Sequence, residues 1–203
     1  MRKHTFLMTC LGMVVAAVFL AGCAGMETKP AESNFKEPKV VLSHVEVPYY
    51  TGYWYYAKKV EPTKGTAGDY GAPLMMAFVF DINNPSAYPL ELDGFQFTVL
   101  FDDFEVNTVN SPETMWIPPG KTNQLRVPAV FDTRQTLLTL MLPGAMKLKE
   151  KGTTPWDELE KWWSGAPDFS FPVSVKEGSA IFKAGAMVKV VQVRSEYFPS
   201  MRD

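Results

Sequence analysis

The stretch "LMMAFVFDINNPSAYPLELDGFQFTVLFDDFEV", Leu74 to Val106, decides the fold. Its first part, Leu74 to Ile82, is apolar almost without a break and stops at Asn83-Asn84-Pro85. That length, the Phe/Val content and the proline stop predict a strand buried on both faces, not a helix. In the second part Phe95, Phe97, Val99 and Phe101 alternate with Gln96, Thr98 and Leu100, the period of two of a strand with distinct faces. Asp102-Asp103 reads as a turn, and a return strand runs from Phe104 to Val109. Two long strands with a hairpin partner predict an antiparallel sheet protein.

The flanking sequence extends this pattern. In "KVVLSHVEV", Val41, Ser43, Val45 and Val47 alternate with Val40, Leu42, His44 and Glu46, as in an outer strand. "WIPPGKTNQLRVPAVF" predicts a turn at Pro119-Gly120 and a strand that Pro128 confines to an edge or a bulge. "DFSFPVSV" and "AMVKVVQV" return to strand character late in the chain. Between the strand ending at Phe131 and these late strands lies a helical excursion over residues 132–165. Asp132 is placed to cap a first helix, with Gln135 answering it three positions on, and Leu137, Leu138, Met141 and Leu142 as its apolar face. Thr154 caps a second helix with Pro155 at its first position. Trp156, Leu159 and Trp163 form its apolar stripe, Asp157 and Lys161 pair outside it, and Trp162 falls off the stripe as an exposed contact residue. Seven or eight strands with a helical insertion predict an all-β fold, an immunoglobulin/fibronectin-III-like antiparallel β-sandwich spanning residues 39–198, followed by a short tail, 199–203.

Delivery is written in the first residues. Arg2, Lys3 and His4 precede an apolar run from Phe6 to about Ala21, which ends in Leu20-Ala21-Gly22-Cys23. A basic start, a run short for a spanning helix and small residues before a cysteine match a secretory signal, residues 1–22, with the lipobox of bacterial lipoproteins. Cys23 is then the lipid attachment site, and its acyl chains hold the chain to a membrane. Ala24 stands where resemblance to enterobacterial lipoproteins places aspartate for inner-membrane retention. In a host with two membranes this favours the outer one, facing the periplasm. Residues 23–38 are polar, proline-containing and aperiodic, a tether that extends on the order of 45 Å at ~3.1 Å per residue.

Composition narrows the chemistry. Both cysteines, Cys10 and Cys23, lie in or at the end of the signal, so no disulfide or reactive thiol is expected in the domain. His44 is the single histidine beyond the signal, and strand alternation sends it away from Ser43, which excludes a direct serine–histidine pair. Cysteine–histidine chemistry, zinc ligation and phosphate-binding glycine loops have no residues to carry them. Asp102, Asp103 and Glu105 fall short of a calcium loop and read as turn carboxylates. Loss of Arg2 and Lys3 takes the formal charge from −2 to −4, without a basic patch for nucleic acid. The expectation is a non-enzymatic chain without cofactor or metal.

"VFDINNPSAYPLELDGFQFTVLFDDFEV" also resembles the core of the WHy domain, the water-stress and hypersensitive-response domain of group-2 late embryogenesis abundant proteins. Asn84-Pro85, Leu90, Leu92, Phe95, Phe97 and Leu100 carry the likeness, and "IPPGKTNQLRVPAVFD", a leucine-rich helix and "FPVSVKEGSAIF" follow in the family's order. The resemblance covers roughly Lys39 to Phe182. It implies a desiccation- or stress-protective role exerted without catalysis. The sequence departs from the family at Asp102-Asp103, where Asn-Gly is usual, and in a longer link between the first two strands, Pro48 to Pro73.

That link contains "PYYTGYWYY". Tyr49, Tyr50, Tyr53, Trp54, Tyr55 and Tyr56, with Trp162, are the candidate interaction surface for a protein or glycan of the envelope. Packing of the same rings onto the sandwich is the competing reading. A second function class follows from the first: an accessory lipoprotein docking an envelope assembly or transport system through this aromatic extension.

Overall fold

The structure is a computed structural model that describes residues 29–53 and 72–193, together with the backbone of 196–198. The signal, Cys23 and residues 24–28 of the tether lie outside the described residues, as do Trp54, Tyr55 and Tyr56, whereas residues 29–38 are described and partly docked on the sandwich through Lys36 and Glu32.

Among the described residues nine strands and three α-helices follow in chain order: β1 (Lys39–Tyr50), β2 (Leu74–Asn83), β3 (Leu90–Phe101), β4 (Phe104–Ser111), β5 (Met115–Ile117), β6 (Thr122–Phe131), α1 (Thr133–Met141), α2 (Ala145–Lys151), α3 (Pro155–Gly165), β7 (Val173–Ala184), β8 (Met187–Val193) and β9 (Glu196–Phe198). One sheet is β1-β2-β6. The other runs β4-β3-β7-β8, with β5 beside the start of β3 and β9 beside the start of β7. All pairings are antiparallel. The all-β sandwich with a helical insertion is therefore the fold. The two three-residue strands, β5 and β9, are too short to leave a periodic signal.

β2 is the middle strand of its sheet, which explains its unbroken apolar run. Phe78 and Phe80 point to the second sheet, where Phe80 meets Phe95 edge-on with centroids 4.7 Å apart and Phe78 meets Phe97 at 5.3 Å. Near the helical end Phe101 of β3 meets Phe131 of β6 at 4.9 Å, again across the sheets. Each buried phenylalanine contributes about 1.5–3 kcal/mol from area, and each edge-on pair adds about 0.5–1.5 kcal/mol. With no cysteine after Cys23, such packing carries the fold.

Pro128 lies on β6, an edge strand opposite Ala77 of β2, the strand position to which a missing N–H confines proline. The hairpin between β3 and β4 turns in two residues, since Phe101 pairs with Phe104. Asp102 takes the left-handed conformation, φ 54°, that an Asn-Gly pair would supply more cheaply.

Three expectations change. In β1 the ladder slips between Leu42 and His44, so Val40, Leu42 and Val45 are buried. A single inward phase through Val41, Ser43 and Val45 does not exist, because a bulge resets which side faces the core. In α1 Asp132 is the cap, but it accepts from the Arg134 N–H at 2.9 Å, and the buried residues are Thr133, Thr136, Leu137 and Leu140. Leu138, Met141 and Leu142 face outward. In α3 Thr154 caps as expected, yet the buried stripe is Leu159, Trp162, Trp163 and Ala166, with Trp156 about half exposed. Those four stand at i, i+3, i+4 and i+7, the face that meets the ends of both sheets. Asp157 bonds Thr154, not Lys161.

Candidate interaction surface

The candidate contact residues separate sharply. Trp162 is fully buried, which corrects its assignment to the surface. Its ring packs against Phe101 and Phe104, with centroids 5.5 and 5.6 Å away, and its indole N–H donates to Asp102 Oδ2 at 2.7 Å. A large ring that buries its apolar body and pairs its one donor belongs to the core. Tyr49 remains exposed, whereas Tyr50 and Tyr53 are partly buried and pack on the core. Tyr50 donates its hydroxyl to the Trp163 carbonyl, and burial pushes its pKa above the ordinary tyrosine value.

Trp163 holds the same region from the other side. Its indole N–H donates to Ala72 O at 2.7 Å, while Ala72 N donates to Thr133 Oγ1 at 3.0 Å. One residue of α3 thus grips the chain on both sides of residues 54–71, through Tyr50 and through Ala72. Of the described tyrosines of the aromatic run, Tyr50 and Tyr53 serve packing here, while Tyr49 stays exposed. Trp54, Tyr55 and Tyr56 fall within residues 54–71, outside the described residues.

At the β3–β4 turn every carboxylate has a cation. Lys161 reaches Asp102 Oδ2 at 2.7 Å, Lys151 reaches Asp103 Oδ1 at 2.8 Å, and Lys176 bonds Glu105. Burial pushes the Asp103 carboxyl up, but the Lys151 hydrogen bond and the charges of Lys147 and Lys151 outweigh it and hold the pKa below the ordinary value. Lys147 and Lys151 also sit over the Phe104 ring, 5.3 and 5.4 Å from its centroid. These carboxylates bind the helices to the hairpin. Among the described residues no group of three acidic, histidine or cysteine side chains is placed to hold a metal.

The β1 bulge also brings His44 Nδ1 to 3.4 Å from Ser43 Oγ, a proximity that strict alternation excludes. His44 Nε2 lies 3.5 Å from Glu46, which Arg126 of β6 bonds at 2.8 Å. Serine, histidine and carboxylate therefore meet, but at the outer limit of hydrogen bonding and on the open face of the three-stranded sheet. The Arg126 bond is the main reason the Glu46 pKa is lowered. In register His44 and Arg126 flank Val79, so this row roofs the outer side of β2.

The surface that sequence reasoning missed is the outer side of α1 and α2. Leu138, Met141, Leu142 and Met146 are 58%, 50%, 73% and 70% exposed, an apolar group too large to be scatter. The first three share one helix face at i, i+3 and i+4, and Met146 opens α2 one turn later. Beside them a cavity of about 220 Å³ is lined by Phe104, Glu105, Thr139, Pro143, Gly144 and Lys147. Over residues 133–151 the charged residues are Arg134, Lys147, Lys149, Glu150 and Lys151; Lys147 and Lys151 are paired with Asp103, and Glu105 lines the cavity. The available signal was the apolar run itself, Leu137 to Leu142, which is wider than one buried face needs.

Register places this surface at one pole. α1 and α3 adjoin the end of the sandwich where Tyr50, Leu74, Phe101 and Phe131 lie. The N-terminal segment enters at the other end, where Lys39 pairs with Asn83, Lys36 N bonds Ser86, and Glu32 pairs with Lys189. Twelve-residue strands span the interval, roughly 40 Å at about 3.3 Å per residue.

Among solved structures the chain is similar to a protein from Archaeoglobus fulgidus, at 12% identity and TM-score 0.40, over 80% of this chain and 98% of that one. A Bordetella pertussis protein assigned as ApaA matches at 10% identity and TM-score 0.41, over 83% and 99%. The structural-genomics target SoR45 matches at 10% identity and TM-score 0.43, over 81% and 87%. No protein-family model and no curated protein matches the chain.

Proposed function

We propose that this chain is a lipid-anchored protein of the cell envelope whose β-sandwich works without catalysis, by binding another protein. The observation that carries the reading is the exposed apolar face of Leu138, Met141, Leu142 and Met146, at the pole opposite the entry of the N-terminal segment. Leu20-Ala21-Gly22-Cys23 supports the anchor, and Ala24 favours the outer membrane where the host has two. A tether followed by a long sandwich would carry the apolar face away from the anchoring bilayer, where a docking accessory protein needs it.

The test has two parts. Cys23→Ala should move the chain from the membrane to the soluble fraction; a variant that stays tightly bound would sink the anchor. Leu142→Ser with Met146→Ser should abolish the chain's contribution to envelope function in a deletion strain, while the variant still accumulates.

The resemblance to WHy domains favours a second reading, stress protection. The observation on its side is Asn84, whose buried amide ties the Asn-Pro segment to β5. If it holds, the full chain protects a test enzyme through drying, and the Leu142/Met146 double variant protects equally well. If docking is the role, drying protection is absent.

A further inference from the structure

The segment before β1 is fastened to the sandwich. Asn34 donates its amide to Lys29 O at 3.0 Å and accepts from Ala31 N at 2.9 Å, which folds residues 29–34 into a turn. Glu32 pairs with Lys189 of β8 at 2.7 Å, and Phe35 packs on the core with the Lys189 ammonium 6.0 Å from its centroid. Lys36 exchanges two bonds with the Ser86 hydroxyl, each 3.2 Å. Lys189 is the third residue of β8, so the chain leaves the domain beside β8, close to the β7–β8 turn.

This docking shortens the tether. Lys29 stands six residues after Cys23, and the chain between them reaches at most about 20 Å. That is about half of the ~45 Å available to a tether free as far as Pro38, and about half the length of the sandwich. With Cys23 as the lipid attachment site, the reading on which this inference rests, the β8 side is confined next to the bilayer at high effective concentration.

The face beside that exit is apolar only where the tether can bring it down. On the outer side of the second sheet, register sets Trp116, Glu91, Lys183 and Val188 in one row across β5, β3, β7 and β8. The next row is Gly94, Ile181 and Val190, and the one beyond it is Gln96, Ser179 and Gln192. Trp116, Val188, Ile181 and Val190 are all exposed and all lie in the two rows nearest the N-terminal pole. Farther from the anchor the same face turns polar. Charge does not select the occupant, since Lys183 is paired with Asp93 at 2.5 Å and lies opposite Glu91. Position does: a second copy or another protein gives no reason for the apolar rows to stop at the reach of the anchor.

We infer that the outer face of the second sheet at this pole, Trp116, Ile181, Val188 and Val190, rests on the head groups of the anchoring bilayer. Trp116 seats its amphipathic ring at the boundary of head groups and acyl chains, and the three aliphatic side chains cover apolar area beside it. The tether makes this weak contact persistent, and the sandwich holds α1 and α2 away from the surface.

Lipidated chain in phosphatidylcholine vesicles tests this. The domain holds no cysteine after Cys23, so Val190→Cys or Leu142→Cys gives one thiol for a nitrobenzoxadiazole label. A phosphatidylcholine carrying a nitroxide on its head group is the quencher. The label at Val190 is quenched and the label at Leu142, on the opposite pole, is not. Quenching at Val190 is unchanged between about 0.05 and 0.5 M salt, because apolar contact is not screened. Trp116→Ser with Val188→Ser cuts it roughly threefold, as half of the apolar contact is removed. An unquenched Val190, equal quenching at both poles, quenching that salt abolishes, or no change in the double variant overturns the inference. Flotation with the vesicles reports on the anchor by itself. A chain that fails to float sinks the anchor and the inference with it, whereas a floating chain with unquenched Val190 sinks the inference alone.

Discussion

Trp162 Nε1 and Lys161 Nζ both converge on one oxygen, Asp102 Oδ2, each at 2.7 Å. A helix of the insertion is thereby fastened to the turn between β3 and β4. Asp102 also donates its own N–H to Pro172 O at 2.8 Å, which ties the start of β7 to the same point. Asp102→Ala leaves the buried indole N–H unpaired and puts alanine at φ 54°, together about 3 kcal/mol. Asp102→Asn keeps an acceptor and tolerates the left-handed backbone, so it should lose less than half as much. Urea denaturation of the two variants decides; equal losses would mean the Trp162 bond contributes nothing.

Asn84 is the second clamp, at the opposite pole. Its amide donates to the carbonyls of Tyr88, Ile117 and Pro118 at 2.9, 3.0 and 3.3 Å, and its oxygen accepts from Ser86 N at 2.9 Å. Asn84→Ala strands these buried groups and should lower stability by about 3 kcal/mol. Asn84→Asp keeps the Ser86 bond but sets a carboxylate against three carbonyls, so it should be no better than alanine. A well-tolerated aspartate would refute the donor role.

Gly178 of β7 lies opposite Val193 of β8. A Cβ there would lie 2.6 Å from Val193 Cβ, so Gly178→Ala should cost about 1–3 kcal/mol through overpacking. Adding Val193→Ala should recover part of the loss, a non-additivity that a thermal-melt cycle over the four proteins measures. Strict additivity would show that the two residues are not opposed.

Acid should loosen the helical end. The Asp103 pKa is lowered on folding, so its contribution is complete above the ordinary aspartate value of 3.8 and is lost as pH falls through the lower folded value. Lys151 is raised above 10.5 by the same bond, so its share is present below that value and disappears at still higher pH. Melting temperature between pH 5 and 2.5 should therefore fall more steeply in the native chain than in Asp103→Asn. Parallel curves would remove Asp103 from the account.

The two faces of α1 should respond oppositely. Leu140 is fully buried, and Leu140→Ala should destabilise by about 2–5 kcal/mol. Leu142→Ser, on the exposed side, should change stability by less than about 0.5 kcal/mol. A large loss at Leu142 would mean that the apolar pole is covered by the chain itself.

The sandwich was legible because strand periodicity is local. The run Leu74–Ile82, the alternation Phe95–Phe101 and the proline at 128 each report their surroundings through adjacent residues. The caps Asp132 and Thr154 were legible for the same reason, since a cap acts within one turn. Tertiary packing alone decided which side of an apolar helix turns inward. Leu137 and Leu138 are equally hydrophobic neighbours, yet one is buried and the other exposed, because only one arc of α1 meets the sheets. Trp162 entered the core and Trp156 did not, because Asp102, fixed by the hairpin in the left-handed conformation, offers its carboxylate to one indole. The β1 bulge likewise depends on the ladder with β2, and it decided that Ser43 and His44 meet. Composition and period determine the layers; the choice among equally apolar faces belongs to long-range contacts between Asp102, Trp162, Trp163 and Ala72, which no local window contains.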